Sequence, residues 1–215
     1  MPNPPLSFLK IFKQNLADNH ISIDGIQVRN ALKKHKEILW QYQSKPMIEL
    51  AKYTNDYSIN HFSEALAWSL IQGDQPANGY LDKKAIHKFF VPYGFDSADI
   101  EDGCGLAPDN LVQPTQMTNF LSLMSKKLGQ AVVLDILPHA GEEGYAKYFL
   151  KNDPVQKHIW VKSGSVSKVQ NYTGIFKGQS GKYYAFSIMT NYFIGEHKDV
   201  QKAIQNLVKN YIEEL

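Results

Sequence analysis

A lysine beside small hydroxyl and glycine residues, at the end of a β-rich stretch, sets a charged head next to accessible backbone. Lys162-Ser163-Gly164-Ser165 is such a run. That chemistry suits holding a carboxylate or activating a hydroxyl. Two other polar clusters stand out: Ser58-Ile59-Asn60, in a break between two helical patterns, and Asp102-Gly103-Cys104-Gly105, in a glycine-rich connection. Taken singly, each has an ordinary structural explanation. Ser58 reads as an N-cap for a helix beginning near His61, with Glu64 too far along for a capping box. Asp102-Gly103 reads as a turn and Cys104 as a small buried residue. Lys162 reads as a surface lysine on a strand. Their order along the chain is what gives them a shared meaning.

The elements that must position these groups follow from periodicity. Residues 160–193 read as a meander of three short strands, rich in Tyr, Phe, Ile and Thr, with Gly178-Gln179-Ser180-Gly181 as turn chemistry. The tail from Lys198 to Leu215 carries Val200, Ile204, Leu207, Val208, Tyr211, Ile212 and Leu215 on one stripe, and this helix is expected to pack on the sheet. Between Pro46 and Leu150 the pattern is mainly helical, with helices around Met47–Tyr53, Phe62–Ile71, Lys83–Val91 and Thr115–Leu128, the last with Pro114 at its first turn. At the front, Leu6, Leu9, Ile11, Phe12 and Leu16 follow helical spacing after Pro4-Pro5. Alternation over residues 21–28 predicts a short strand or two, and residues 38–42 another. Lys33 to Lys36 reads as a solvated loop, as do residues 73–79.

Composition narrows the function classes. At 215 residues, with 43% hydrophobic and 12% aromatic content, the chain can bury a core. Net charge is +2, and Arg29 is the single arginine among 23 basic residues, a poor basis for nucleic-acid recognition. The lone Cys104 excludes an intrachain disulfide, and the seven histidines lack metal-ligand spacing, so neither a metal nor another cofactor is expected. No apolar run approaches a membrane span, and MPNPPLSFLKIF has neither a basic leader nor a cleavage signal.

The run Asn55-Asp56-Tyr57-Ser58-Ile59-Asn60-His61-Phe62-Ser63-Glu64 resembles the N-x-x-S-x-N-x-x-A-E segment of D-alanyl-D-alanine carboxypeptidases, the low-molecular-mass class C penicillin-binding proteins, which also act as endopeptidases. Asp102-Gly103-Cys104-Gly105-Leu106-Ala107-Pro108-Asp109-Asn110 is similar to their D-G-S-G-L-S-x-x-N loop, with Cys104 and Ala107 standing where serines are usual. Leu137-Pro138-His139-Ala140-Gly141-Glu142-Glu143-Gly144 resembles their L-P-x-A-G-x-x-G turn, and Lys162-Ser163-Gly164-Ser165 their K-[ST]-G-[ST] strand. Four motifs in family order make the resemblance specific, and it runs from about Pro5 to the C-terminus.

The resemblance implies an α+β, penicillin-binding and serine β-lactamase-like fold. This chain would supply the last three strands of an antiparallel sheet, the C-terminal helix and an all-helical region. The implied divisions are 1–45, a remnant of an inserted α/β region; 46–150, mainly helical; and 151–215, the meander and C-terminal helix. The implied chemistry is acyl transfer on peptidoglycan stem peptides by a serine-type D-Ala-D-Ala carboxypeptidase. Ser58 would relay a proton to the leaving amine, Asn60 would bind the substrate amide, and Lys162 would tune the charge around Ser58 and attract the terminal carboxylate. Ser163 would bond that carboxylate, Gly164 would line the strand, and the Ser165 backbone N–H would form half of an oxyanion hole. Asp102, Gly103, Cys104 and Gly105 would form a structural loop. The attacking serine of S-x-x-K is expected to be absent: Ser7-Phe8-Leu9-Lys10 falls in the inserted region, and Ser165-Val166-Ser167-Lys168 lies on a strand and turn. Implied partners are a peptidoglycan peptide or β-lactam, in the periplasm or cell envelope, and the open sheet edge is expected to be covered by a separate upstream half, another copy or a rearranged N-terminal segment. The alternative is a non-catalytic relative that keeps the peptide cleft.

Overall fold

The structure, a computed structural model, describes residues 3–28, 40–71, 81–142 and 144–215. Two compact units are present, Met1–Gln43 and Ser44–Leu215. In the first, helix α1 (Pro4–Asp18) begins at Asn3, whose side-chain oxygen accepts the Leu6 N–H at 3.1 Å while Pro4 and Pro5 occupy positions that need no donor. Residues 21–28 form no strand, contrary to their alternation, and neither do residues 40–42. A period-two pattern yields a strand only when a second strand completes its backbone hydrogen bonds, and none pairs with these segments among the described residues. The other expectations over 29–39 and 73–79 lie outside the described residues.

The second unit is built in layers. Helix α2 (Met47–Tyr57) leads into α3 (Asn60–Leu70), and α3 and α4 (Lys83–Phe90) contribute to a small core of Ala67, Ile71, Leu81 and Ile86. Helices α5 (Pro114–Leu128) and α6 (Gln130–Ile136) follow; α6 occupies the apolar stretch before Leu137. The sheet is an antiparallel meander of β1 (Ile159–Val166), β2 (Val169–Lys177) and β3 (Tyr183–Asn191), in the order β1-β2-β3. Its register sets Lys162 opposite Thr173, and Thr173 opposite Ser187.

Both faces of the sheet are covered. On one, Ile159, Val161, Tyr172 and Phe176 pack with Phe149 and with Ile204, Val208 and Ile212 of the last helix, α7 (His197–Glu214). On the other, Ile175 packs with Leu121 of α5, Val133 of α6 and Leu137, with Trp160 and Ala185 alongside. The α7 stripe is narrower than its apolar sequence: residues spaced by four are buried, while Leu207 and Tyr211 are 44% and 49% exposed. One helix face of three turns is all that a sheet surface can touch. Two polar ties fix α7 further, Lys209 to Asp153 at 2.7 Å and Gln205 accepting the Leu150 N–H at 2.8 Å. Among the described residues no helix is long and apolar enough to cross a membrane.

Truncation therefore separates the two sides of α7. Ile204→Ala should cost about 2–5 kcal/mol in urea unfolding. Leu207→Ala should stay within about 0.5 kcal/mol. Equal losses would mean that α7 is docked on a different face.

Candidate active site

Ser58 and Lys162 lie 104 residues apart in sequence, yet the Lys162 ammonium donates to Ser58 Oγ at 3.0 Å. The lysine comes from the middle of β1, where it also donates to the Ser163 carbonyl at 2.6 Å. Ser58 comes from the elbow between α2 and α3. It is the C-cap of α2, in the left-handed region at φ 50° and ψ 51°, with its N–H on the Thr54 carbonyl. The N-cap of α3 is Ile59, so the expectation that Ser58 caps the following helix is corrected. The left-handed turn reverses the chain after α2, which leaves the hydroxyl free for Lys162 instead of for an α3 N–H. For a non-glycine residue this backbone costs about 1–2 kcal/mol, which the surrounding packing must offset.

The run 137–144 holds the two groups in register. Val161 donates to the Pro138 carbonyl at 2.8 Å, and Ala140 donates to the Ile159 carbonyl at 2.9 Å, so the run lies along the outer edge of β1 just before Lys162. The same region carries α2: Lys52 Nζ and Asn55 Nδ2 donate to the Asp135 and Ile136 carbonyls, each at 3.1 Å. Gly144, at φ +61°, sits so close to the Asp56 carbonyl that any β-carbon there would overlap it. Only glycine lets the turn Gly144–Tyr148 press against the last turn of α2, two residues before Ser58.

Past Val161 no backbone group pairs with the outer edge of β1 among the described residues. The outward N–H of Val161 and outward carbonyl of Ile159 fix the alternation, so Ser163 and Ser165 also turn their backbone groups outward. Ser163 is half-buried, and Gly164 and Ser165 are exposed. Asn60 opens α3, exposed, and its side chain has no hydrogen-bond partner among the described residues. Ser58, Lys162 and the Ser163 carbonyl are thus brought into one contact cluster, with Asn60 two residues from Ser58. Beside Lys162 on the same face, Thr173 Oγ1 and Ser187 Oγ are 2.8 Å apart. The Ser165-to-Lys168 run spans a strand end and a turn, and Lys168 donates to the Gly195 carbonyl at 3.2 Å. Ser7 lies within α1, in the first unit.

The Asp102 loop is self-contained. Asp102 accepts from Gly105 N–H at 2.7 Å, Asn110 Nδ2 at 2.9 Å, Leu106 N–H at 3.1 Å and Ala107 N–H at 2.7 Å. Burial would raise its carboxyl, but these donors and the Cys104 thiol outweigh it and hold it below the usual carboxylate range. The thiol itself is pushed up, by burial first and then by the neighbouring Asp102 charge. Backbone donors to Asp102 come from residues 105–107, so an alanine at 107 leaves the knot intact. The Gly103 N–H bonds Glu64 of α3 at 2.7 Å, and the other Glu64 oxygen accepts from Trp68 Nε1 at 3.1 Å. Glu64 and Asn110, both inside the motif strings, are thus the loop's working partners. A cavity of about 290 Å³ between α2, α3, α4 and this loop is lined mainly by apolar groups such as Leu66, Ala67 and Phe90, away from Lys162.

Burial lowers the pKa of Lys162 below the ordinary lysine range. A folded state that holds the proton less tightly than the unfolded chain gains stability with rising pH. The window runs from the lowered value up to about 10.4, the unfolded value. Wild-type stability minus that of Lys162→Met should rise with pH through this window; a flat difference would place the ammonium in free solvent.

A family model described as the D-Ala-D-Ala carboxypeptidase 3 (S13) family matches residues 1–211. D-alanyl-D-alanine carboxypeptidase DacB of Haemophilus influenzae is 25% identical over 215 residues, an alignment covering 96% of this chain and 45% of that protein. The chain thus spans about half the length of the curated relative. Among solved structures, penicillin binding protein 4 (dacB) of Haemophilus influenzae superposes with a TM-score of 0.78 at 22% identity, over 95% of this chain and 48% of the other. The penicillin G acylated Bd3459 predatory endopeptidase of Bdellovibrio bacteriovorus, solved with immunity protein Bd3460, gives 0.64 at 20% identity, over 99% and 59%. These likenesses show the α+β fold of the penicillin-binding and β-lactamase-like class.

Proposed function

The chain belongs to the D-Ala-D-Ala carboxypeptidase 3 (S13) family, and from that premise we propose that it forms the recognition half of a serine-type D-Ala-D-Ala carboxypeptidase or endopeptidase. The observation that carries this reading is the 3.0 Å contact between Lys162 Nζ and Ser58 Oγ. The peptide lies along the open edge of β1 as an added strand, its terminal carboxylate drawn by Lys162 and bonded by Ser163. Asn60, whose side chain has no hydrogen-bond partner among the described residues, holds the substrate amide. The outward Ser165 N–H supplies half of an oxyanion hole. Ser58, hydrogen-bonded to a desolvated lysine, passes a proton to the leaving amine as the acyl-enzyme forms. The acylated serine itself comes from an S-x-x-K helix outside this cluster. Peptidoglycan stem peptides are the substrate class and β-lactams the competing ligands, which makes the cell envelope the working location.

Fluorescent penicillin added to this chain should leave no covalent adduct. A peptide ending in D-Ala-D-Ala should still bind reversibly, and Lys162→Met should weaken it roughly tenfold, about 1.4 kcal/mol. An adduct on this chain would overturn the placement of the nucleophile. Failure to bind the peptide would sink the reading as a recognition half.

The same reading needs a cover for β3, a nine-residue strand whose outer edge has no partner strand among the described residues. Unpaired strand edges invite pairing, and the partner is a separate upstream half or another copy of the chain. Hydrogen exchange should be slow at the outward amides of β3 when the partner is present and fast when it is removed. Fast exchange in both states would contradict the pairing.

A further inference from the structure

The Ser165 hydroxyl has no role in the scheme above, yet it meets α7. Ser165 Oγ lies 3.5 Å from His197 Nδ1, where His197 is the first residue of that helix. The loop that delivers His197 is tied to the β1–β2 turn at several points. Tyr192 N–H donates to the Lys168 carbonyl at 2.7 Å, and Lys168 Nζ donates to the Gly195 carbonyl at 3.2 Å. Lys168 also lies over the Phe193 ring at 5.6 Å. Phe193 in turn meets the His197 ring edge-on, with centroids 4.8 Å apart and planes at 90°. The imidazole is therefore oriented from one side by an aromatic ring and aimed at the strand from the other.

A second chain of bonds joins the same helix turn to the same strand end. Gln201, one turn after His197, donates to Gln170 Oε1 at 3.0 Å, and Gln170 Nε2 donates to the Gly164 carbonyl at 3.5 Å. Gln170 stands opposite Ser165 in the ladder and is only 1% exposed. A buried amide is kept in a core when its bonds are satisfied, and here both go to the α7–β1 junction. The first turn of α7 thus grips Gly164 and Ser165 by two independent routes.

We propose that His197 is a positioning residue: its Nδ1–H donates to Ser165 Oγ, which leaves the Ser165 hydroxyl proton free to donate to the terminal carboxylate of a bound peptide. The inference rests on the reading that the β1 edge takes the peptide, and it adds a specificity device to it. A carboxylate accepts the Ser165 proton. A carboxamide that presents its NH2 group there faces a donor with a donor, so peptides with a free C-terminus are preferred over their amides.

Two measurements decide it. In ¹⁵N spectra of the imidazole, His197 should carry its proton on Nδ1, and Ser165→Ala should shift that signal. In titrations with a D-Ala-D-Ala peptide and its C-terminal amide, wild type should prefer the acid. His197→Ala and His197→Gln should lose roughly tenfold of that preference. His197→Asn, whose amide NH2 falls where Nδ1–H stood, should keep it to within about threefold. An Nδ1 signal indifferent to Ser165→Ala, or an acid preference unchanged in His197→Ala, would overturn the proposal. Failure of wild type to bind either peptide would instead count against the recognition-half reading, and the ¹⁵N signal would still decide whether His197 positions Ser165.

Discussion

The hydrogen bond between Lys162 and Ser58 depends on one steric constraint, the closeness of Gly144 to the Asp56 carbonyl. The lysine is fixed by the sheet and the serine by a helix elbow, so the distance between them is set wherever those two layers touch. They touch along residues 137–144. That run bonds β1 through Pro138 and Ala140, carries the carbonyls that bind α2 nearby, and ends in the glycine that lets α2 settle. A side chain at 144 would push α2 outward and break a 3.0 Å contact by a displacement of an ångström or so.

Charge behaves accordingly. A lysine half-buried between a strand and a helix elbow loses hydration that two oxygen acceptors replace only in part. Its proton is held more loosely, and a substrate carboxylate arriving at the edge of β1 would restore the balance. In the proposed function, that desolvation is what draws a substrate carboxylate to Lys162. The Asp102 carboxylate is the opposite case: its lone pairs are filled by the loop itself, which makes it a structural knot under α3.

Much of this was legible in the sequence, for reasons that differ by element. The meander and α7 show because alternation and the four-residue spacing of Ile204, Val208 and Ile212 are direct images of burial. Lys162, Ser58 and the run at 137–144 stand out because they match, in order, motifs of the family that the sequence resembles. What could not be read is where tertiary partners decide. Residues 21–28 alternate without a partner strand among the described residues. Ser58 looks like an N-cap until its left-handed backbone makes it the end of the preceding helix. Gln170, a polar residue within a strand, is buried where Gln201, thirty-one residues on, satisfies its side chain. Ser165 and His197 are likewise joined only by the fold.

The most direct test of the account is the titration of Lys162 itself, followed by NMR of its side-chain ammonium with and without a D-Ala-D-Ala peptide. Lys162 should titrate below the other lysines in the free protein, and the peptide's carboxylate should raise its pKa. A Lys162 that titrates with the surface lysines and ignores the peptide would contradict it.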